Sequence, residues 1–136
     1  MRAPLPAAFL TTPIAHRAYH NRATRRPENS RAAIQAAIEA GYAIEIDLQL
    51  SADTIAMVFH DEDLGRLTEA SGLVAQHRAA DLGQIKLRDS DEGIPTLAEV
   101  LRLVAGRVPL LIEIKDQDGQ MGPNIGPLGE AAAYCL

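Results

Sequence analysis

The sequence predicts an α/β fold in which helices connect strands that lie parallel. Three observations support this prediction: stretches in which apolar and polar residues alternate, stretches with apolar residues at helical spacing, and the order in which the two kinds follow one another. The chain has 136 residues, 47% of them apolar, which suits one domain with a buried core. We therefore expect a single α/β domain.

The first strand and the first helix are predicted at the start of this domain. The apolar run PIAH, residues 13–16, is interpreted as a strand. In SRAAIQAAIEA, residues 30–40, apolar residues recur on one helical face, with Asn29 or Ser30 as the N-cap and Gly41 as the stop. A helix is therefore predicted over these residues.

Two further strands are predicted after this helix. In YAIEIDLQL, residues 42–50, every second residue is apolar, and Glu45, Asp47 and Gln49 stand between them, which is the period of a strand. IAMVFHD, residues 55–61, is interpreted as the next strand. The strand predicted over residues 42–50 therefore has one apolar face and one face that carries two acids.

An irregular stretch and a second helix come next. Residues 62–93 contain turn signals without a strong period, and they are interpreted as an excursion from the sheet. In IPTLAEVLRLVAGR, residues 94–107, Thr96 and Glu99 form a candidate capping box before an apolar stripe. The second helix is therefore expected to begin just after Thr96.

The last predicted strand is VPLLIEIK, residues 108–115, in which apolar residues alternate with Glu113 and Lys115. The Gly- and Pro-rich residues 116–129 indicate a loop, and EAAAYCL, residues 130–136, indicates the start of a helix. Helices would thus link strands that lie parallel in one sheet.

Composition excludes several classes of protein. A net charge of −5 argues against a general nucleic-acid binder. Cys135 is the only cysteine, which excludes a disulfide framework and a zinc site built on cysteine. No segment approaches the roughly 20 apolar residues of a transmembrane helix, and the first ten residues show no convincing secretory signal. We expect a cytoplasmic protein.

Glu45 and Asp47 are the first candidate site residues. Residues two apart in a strand project from the same face, so these carboxylates would lie close together and repel each other. They could solvate an exposed face of an antiparallel sheet, or they could bind a divalent cation. Glu113 repeats the pattern on another strand, and parallel strands usually have both faces covered, which favours the cation. Mg²⁺ or Ca²⁺ suits such oxygen ligands.

His16 and His60 both end predicted strands, which is where active sites form in barrels of parallel strands. A lone histidine is more often structural, but two at such ends beside three acids suit an acid–base pair. Arg17 follows His16, and Lys115 lies two residues after Glu113, so each can bind an anion. A cation, an arginine and a lysine together favour a phosphate ester as substrate.

Six short motifs follow one another along residues 13–115. They are His16-Arg17-Ala18, Pro27-Glu28-Asn29-Ser30, Glu45-Ile46-Asp47, His60-Asp61, Ile94-Pro95-Thr96-Leu97 and Glu113-Ile114-Lys115. In order and spacing this series resembles the pattern of the glycerophosphodiester phosphodiesterase family. That pattern is His-Arg-Gly, Pro-Glu-Asn-Thr, Glu-x-Asp, His-Asp, Ile-Pro-Thr-Leu and Glu-x-Lys.

The resemblance implies a TIM-type (β/α) barrel with only about the first half present, and hydrolysis of glycerophosphodiesters to glycerol 3-phosphate and an alcohol. Residues 1–136 would form a partial catalytic domain with a small insertion at about residues 62–93. By resemblance, the metal ligands are Glu45, Asp47 and Glu113, the acid–base pair is His16 and His60, and the phosphate contacts are Arg17 and Lys115.

Two of the four departures from the family pattern bear on the turn after His16 and on the closure of the barrel. Ala18 stands where the motif has glycine, and alanine crowds a turn that needs a positive φ. A closed barrel takes about 250 residues, so a chain ending at Leu136 after four predicted strands would leave an unclosed core and unpaired strand edges. We expect a fragment of a longer protein, poor stability alone, or a homodimer through the open edges.

Three functions remain open from the sequence. The first is metal-dependent hydrolysis of a glycerophosphodiester. The second is a phospholipase D-like reaction on lysophospholipid or sphingomyelin, which would use the same metal and histidines. The third is a truncated, inactive half-barrel that binds a metal or a partner chain without turnover.

Overall fold

The computed structural model describes residues 2–116 and 126–136, which contain a four-stranded sheet packed against helices. The strands are β1 (Ile14–Ala15), β2 (Ala43–Leu50), β3 (Ala56–Val58) and β4 (Leu110–Ile114). The helices are α1 (Ala8–Thr11), α2 (Arg31–Ala40), α3 (Ala79–Leu82), α4 (Leu97–Val104) and α5 (Pro127–Cys135). The predicted α/β fold is confirmed.

The longest strand, β2, is the centre of the sheet. One edge of β2 pairs in parallel with β4, with Asp47 opposite Glu113. The other edge is shared: β1 runs parallel beside the start of β2, and β3 runs antiparallel beside its end. On this shared edge, the Glu45 carbonyl accepts a hydrogen bond from Ala18 N–H, and the Asp47 carbonyl accepts one from Phe59 N–H. The segments that follow β1 and β3 therefore approach each other along β2.

The direction and length of β3 differ from the prediction. Residues 55–61 were expected to form one of the parallel strands, but the strand covers only Ala56–Val58 and runs antiparallel to β2. The physical reason is the short connection after Leu50, because a parallel crossover needs a dozen or more residues. Three of the four described strands, β1, β2 and β4, are parallel.

Both long predicted helices form where their caps indicate. The Ser30 hydroxyl accepts a hydrogen bond of 3.1 Å from Ala33 N–H at the start of α2, and Gly41 ends the helix with a left-handed φ of 74°. The Thr96 hydroxyl accepts a hydrogen bond of 3.2 Å from Glu99 N–H at the start of α4. Both helices pack their apolar residues against the apolar face of the sheet.

Two apolar clusters fill the interior. The first lies between the sheet and helices α2, α4 and α5, and it includes Ile44, Ile46, Leu48, Ile34, Ala37, Leu97, Val100 and Leu128. The apolar residues of β2 therefore face the helices, and Glu45, Asp47 and Gln49 alternate with them on the opposite face. This leaves the acidic side chains of β2 on the face away from the helices.

The second cluster belongs mainly to residues 62–93, which the sequence presented as an excursion. Its fully buried members are Met57, Phe59, Leu64, Val74, Leu82, Leu87 and Ile94. Gly93 packs closely here, since a Cβ on Gly93 would lie 1.8 Å from the Gly83 carbonyl oxygen. The excursion thus has a core of its own. Its interpretation as an insertion of the family remains a prediction.

The C-terminal segment is described only in part. The predicted loop of residues 116–129 falls largely on residues 117–125, which lie outside the described residues. Helix α5 begins at Pro127, earlier than the predicted Glu130, with proline in the first turn, where its missing N–H has no cost. Along the described ranges, no helix has the length and apolarity needed to cross a bilayer.

Candidate active site

Three carboxylates meet on the face of the sheet that the helices leave uncovered. Glu45 and Asp47 project from β2, and Glu113 projects from the paired position on β4. One carboxylate oxygen from each residue lies within 4.8 Å of the others. Asp47 is fully buried, Glu45 is buried, and the Glu113 side chain is 52% exposed. The period of the two strands and their parallel register therefore bring the three predicted metal ligands together.

Asp47 is held by two neighbours. Its Oδ2 accepts a hydrogen bond of 3.1 Å from the Asn29 amide, whose oxygen accepts in turn from Asp47 N–H. The Lys115 ammonium lies 3.1 Å from Asp47 Oδ1 and donates to Glu113 Oε1 at 2.8 Å. Burial alone would raise the pKa of Asp47, but the Asn29 hydrogen bond and Lys115 hold it below its usual value.

The donor set fits a hard divalent cation. All three side chains offer carboxylate oxygens, the ligands that Mg²⁺ and Ca²⁺ prefer. Asp47 Oδ1 is buried, and the Lys115 ammonium at 3.1 Å shows that this oxygen already binds a positive charge. The Lys115 ammonium already contacts two of the carboxylates, and a metal at this position would replace those two contacts.

His16 lies at the end of β1, beside this cluster. Its Nε2 is 3.8 Å from Glu45 Oε2, and its side chain is 71% exposed. The chain then turns sharply, because Arg17 and Ala18 both have left-handed φ values, 55° and 64°. In this turn Arg17 N–H donates a hydrogen bond of 2.9 Å to Glu45 Oε2, the same oxygen that lies near His16.

His60 is held much more firmly than His16. Its Nδ1 lies 2.7 Å from Asp61 Oδ1, and its Nε2 lies 2.8 Å from Arg17 Nη2. A guanidinium can only donate, and an ionised carboxylate can only accept. A neutral His60 with its proton on Nδ1 satisfies both neighbours, because Nδ1–H donates to Asp61 while the Nε2 lone pair accepts from Arg17.

Two further charged residues support this pair. Arg66 forms hydrogen bonds to both oxygens of Asp61, at 2.7 and 3.0 Å, and to both oxygens of Glu28, at 2.7 and 3.1 Å. Glu28 also lies 3.4 Å from Arg17 Nη1. The side chains of His60, Asp61, Arg66, Glu28 and Arg17 thus form a closed ring, called the charged ring below.

The charged ring shifts three pKa values. The Arg66 hydrogen bonds, followed by that of His60, lower the pKa of Asp61 to about 2 against the opposing effect of burial. Burial alone would raise the pKa of Glu28, but the hydrogen bonds and charge of Arg66, with Arg17, lower it. The two carboxylates in turn raise the pKa of Arg66, Asp61 first. Both acids of the ring are therefore ionised at neutral pH.

Two open clefts border the carboxylate cluster. One has a volume of about 420 Å³ and is lined by His16, Glu45 and Glu113 with neighbouring residues of β4. The other has a volume of about 560 Å³ and is lined by residues that include His60 and Lys115. Each cleft is therefore lined by one of the two histidines, His16 in the first and His60 in the second.

Comparison with known proteins decides the family. Residues 16–130 match the model of the glycerophosphoryl diester phosphodiesterase family. The chain belongs to this family. A glycerophosphodiester phosphodiesterase of Bacillus altitudinis is 35% identical over 113 residues, which cover 78% of this chain and 45% of that protein. The resemblance predicted from the motifs is confirmed, and the chain spans about half the length of the curated relatives it matches.

Solved structures of the family share the fold. A phosphodiesterase from Oleispira antarctica, in complex with the product sn-glycerol-3-phosphate, has a TM-score of 0.77 and 30% identity, covering 95% of this chain and 53% of that one. A glycerophosphodiester phosphodiesterase from Thermotoga maritima has a TM-score of 0.70 and 30% identity, covering 89% of this chain and 47% of that one. The predicted fold class, a TIM-type barrel present only in part, is confirmed.

The family motifs contain residues to which the sequence reasoning assigned no role. Asn29 and Glu28 belong to the Pro-Glu-Asn-Ser motif, and Asp61 to the His-Asp motif, so their presence in motifs was the available signal. Arg66 had no such signal, because it lies in the stretch without a period. Six of the seven predicted site residues belong to the carboxylate cluster or contact it, namely Glu45, Asp47, Glu113, His16, Arg17 and Lys115. His60 is connected to the cluster through Arg17, which contacts both His60 and Asp47.

Proposed function

We propose that this chain carries the cation site and the acid–base pair of an enzyme that hydrolyses glycerophosphodiesters to glycerol 3-phosphate and an alcohol. The observation that supports this proposal most is the carboxylate cluster of Glu45, Asp47 and Glu113, with His16 beside it and His60 connected to it through Arg17. Neither Mg²⁺ nor Ca²⁺ is favoured over the other by three carboxylates, so we propose a hard divalent cation.

The two histidines would share the proton chemistry. Hydrolysis forms a bond from the nucleophile's oxygen to phosphorus and breaks the bond from phosphorus to the leaving alcohol's oxygen. One histidine takes the proton from the nucleophile, and the other gives a proton to the leaving oxygen. The Nε2 lone pair of His60 becomes available for such a step when Arg17 Nη2 leaves it. His16 Nε2, exposed to the cleft, can reach a bound ligand directly.

The charges around the cluster suit a phosphodiester. A divalent cation held by Glu45, Asp47 and Glu113 would polarise the phosphoryl group. Arg17 and Lys115 would bind phosphoryl oxygens, and both are already within 4 Å of the buried Asp47 carboxylate, at 3.9 and 3.1 Å. On substrate binding, the side chains of Arg17 and Lys115 would exchange contacts with protein carboxylates for contacts with phosphoryl oxygens.

The relatives support the substrate class. The Oleispira antarctica phosphodiesterase, which has 30% identity to this chain, binds the product sn-glycerol-3-phosphate. The same product is expected here, because the motifs that carry the cluster and the histidines are those of the family. This chain covers only 53% of that structure, so we assign roles only to residues of this chain and to the clefts that they line.

The proposal can be tested by measuring cation binding and turnover separately. Calorimetric titration of the purified chain with Mg²⁺ and with Ca²⁺ should show one site, and Asp47→Asn should weaken binding by at least about 10-fold, because it removes a buried charged ligand. Glu39→Gln is a matched control, since Glu39 is an exposed acid on α2 away from the cluster. This control should bind the cation like the unaltered chain.

Turnover of glycerophosphocholine, followed by release of glycerol 3-phosphate, completes the test. Hydrolysis should require the cation and should stop on addition of a chelator. Hydrolysis that survives chelation, or an Asp47→Asn variant that binds the cation normally, would contradict the proposal. Turnover of lysophospholipid or sphingomyelin in place of glycerophosphocholine would favour the phospholipase D-like alternative. Cation binding without any turnover would favour the inactive half-barrel. The homodimer through its open strand edges stays a prediction.

A further inference from the structure

Arg66 connects two acids that support different parts of the site. It comes from the segment of residues 62–93, outside the sheet that carries the carboxylate cluster. Its three guanidinium nitrogens all donate: Nε and Nη2 to Asp61, and Nη1 and Nη2 to Glu28, at distances of 2.7 to 3.1 Å. Such paired contacts need the planar fork of arginine, and the point charge of lysine cannot reproduce them.

The first of these acids controls the ring of His60. Asp61 Oδ1 accepts both from His60 Nδ1 and from Arg66 Nη2. With Arg66 in place, Asp61 stays ionised and cannot rotate into solvent without breaking two hydrogen bonds. The carboxylate therefore keeps the His60 proton on Nδ1 and aims Nε2 away from itself, toward Arg17.

The second acid acts on Arg17. The Glu28 side chain is only 9% exposed, and its partners are Arg66 at 2.7 Å and Arg17 at 3.4 Å. Without Arg66, the nearly buried Glu28 carboxylate would have Arg17 as its remaining described cation and would compete more strongly for it. Arg66 thus limits the pull of Glu28 on Arg17, so that the Arg17 guanidinium keeps its 2.8 Å contact with His60 Nε2.

We infer that Arg66 is a positioning residue for this active site, one that fixes the tautomer of His60 through Asp61 and the placement of Arg17 through Glu28. The segment of residues 62–93 then has a function in the reaction beyond its own packing. The effect on turnover rests on the proposed function, whereas the effect on the His60 ring does not, because it follows from contacts within the chain.

The test compares Arg66→Ala and Arg66→Lys with Arg78→Ala. Arg78 is a matched control because it lies in the same segment, is 73% exposed, and has its ion pair with Asp53 rather than with the site. Nitrogen-15 NMR of the His60 ring reports the tautomer directly. We expect one Nδ1–H tautomer in the unaltered chain and in Arg78→Ala, a mixture of tautomers in Arg66→Ala, and an intermediate state in Arg66→Lys.

Turnover provides a second readout. Arg66→Ala should lower kcat by about 10- to 100-fold, the loss typical of residues that orient a site residue, with a smaller change in KM and partial recovery in Arg66→Lys. A His60 ring that keeps its tautomer in Arg66→Ala would overturn the inference, as would an equal kcat loss in Arg78→Ala. Arg66→Lys serves if Arg66→Ala does not fold. If the unaltered chain shows no hydrolysis, the proposed function fails, and the NMR result alone decides the role of Arg66.

Discussion

His16 and His60 were predicted from equivalent positions, yet their surroundings differ sharply. His16 is 71% exposed, and its one ion-pair contact in the described structure is with Glu45 at 3.8 Å. His60 is 28% exposed and lies between Asp61 at 2.7 Å and Arg17 at 2.8 Å. One histidine is thus oriented before any ligand arrives, while the other must be ordered by the ligand, which costs side-chain entropy.

The origin of this difference lies in the strands that carry the two residues. His16 follows the two-residue strand β1 and precedes a turn with left-handed φ values. His60 follows β3, which runs antiparallel to β2 and is backed by the apolar cluster of residues 62–93. The two histidines therefore follow strands of opposite direction beside β2, and the segment before His60 packs into the apolar cluster of residues 62–93 through Phe59.

The largest expected effect separates the two histidines by chemical rescue. His16→Ala and His60→Ala should each lower kcat for glycerophosphocholine by about 100- to 10,000-fold, because under the proposed function each removes a proton-transfer group. Added imidazole should restore part of the activity of His16→Ala, whose site is open to solvent. It should restore little in His60→Ala, where Asp61 and Arg17 occupy the surroundings. Steady-state kinetics with increasing imidazole measure both responses.

Equal rescue of the two variants would show that the difference in exposure has no consequence for the reaction. Circular dichroism spectra and melting temperatures of both variants serve as controls, since a loss of fold would also lower kcat. Rescue of His60→Ala alone would reverse the comparison and would mean that the charged ring opens readily in solution.

The second expected effect concerns the contribution of Asp61, the carboxylate beside His60, to the stability of the fold. The pKa of Asp61 falls from 3.8 to about 2 in the folded chain, chiefly through Arg66. A lowered folded-state pKa contributes stability that is complete above pH 3.8 and is lost as the pH falls toward 2. After allowance for partial exposure, Asp61→Asn should lower the free energy of unfolding by roughly 1 to 2 kcal/mol at neutral pH.

Denaturant unfolding at a series of pH values checks this expectation. The difference between the unaltered chain and Asp61→Asn should shrink between pH 4 and pH 2, because Asp61 becomes protonated over that range. Asp91→Asn is the matched control, since the Asp91 side chain is 85% exposed, and its effect should stay below about 0.5 kcal/mol. A difference that persists at pH 2 would mean that Asp61 stabilises the fold by some means other than its charge.

The cluster of carboxylates could be predicted because it depends on local periods. Alternation puts Glu45 and Asp47 on one face of β2, and the parallel register puts Glu113 opposite Asp47. His16 and His60 were selected because both were expected to end parallel strands. This expectation is wrong for His60, because β3 runs antiparallel to β2 whereas β1 runs parallel to it. The segments that carry the two histidines lie along the same edge of β2 because the short connection after β2 turns β3 back along that edge.

The charged ring could not be predicted from the sequence. Its members are far apart in the chain, with Arg17 and Glu28 before β2, and Asp61 and Arg66 after β3. The contact between Glu28 and Arg66 depends on how the segment of residues 62–93 packs on Phe59, and that stretch has no period from which its path could be derived. Tertiary packing, rather than any local pattern, brings the ring together.

The smallest expected effect concerns the turn behind His16. Ala18, in place of the family's glycine, has a φ of 64°, and this conformation costs a non-glycine residue about 1 to 2 kcal/mol. Ala18→Gly relieves that cost, but it loses a buried methyl group worth about 0.8 kcal/mol and adds about 0.4 to 1 kcal/mol of unfolded-state entropy. The three contributions nearly cancel, so the free energy of unfolding should change by less than about 1 kcal/mol.

Ala105→Gly is the matched variant, because Ala105 has a φ of 49° at the end of α4 but is exposed. It relieves similar strain without losing a buried methyl group, so it should stabilise the chain by about 0.5 to 1 kcal/mol. Thermal unfolding of both variants measures the difference. If Ala18→Gly stabilised the chain more than Ala105→Gly, the Ala18 methyl group would contribute little packing, and the turn that carries His16 would be strained without compensation.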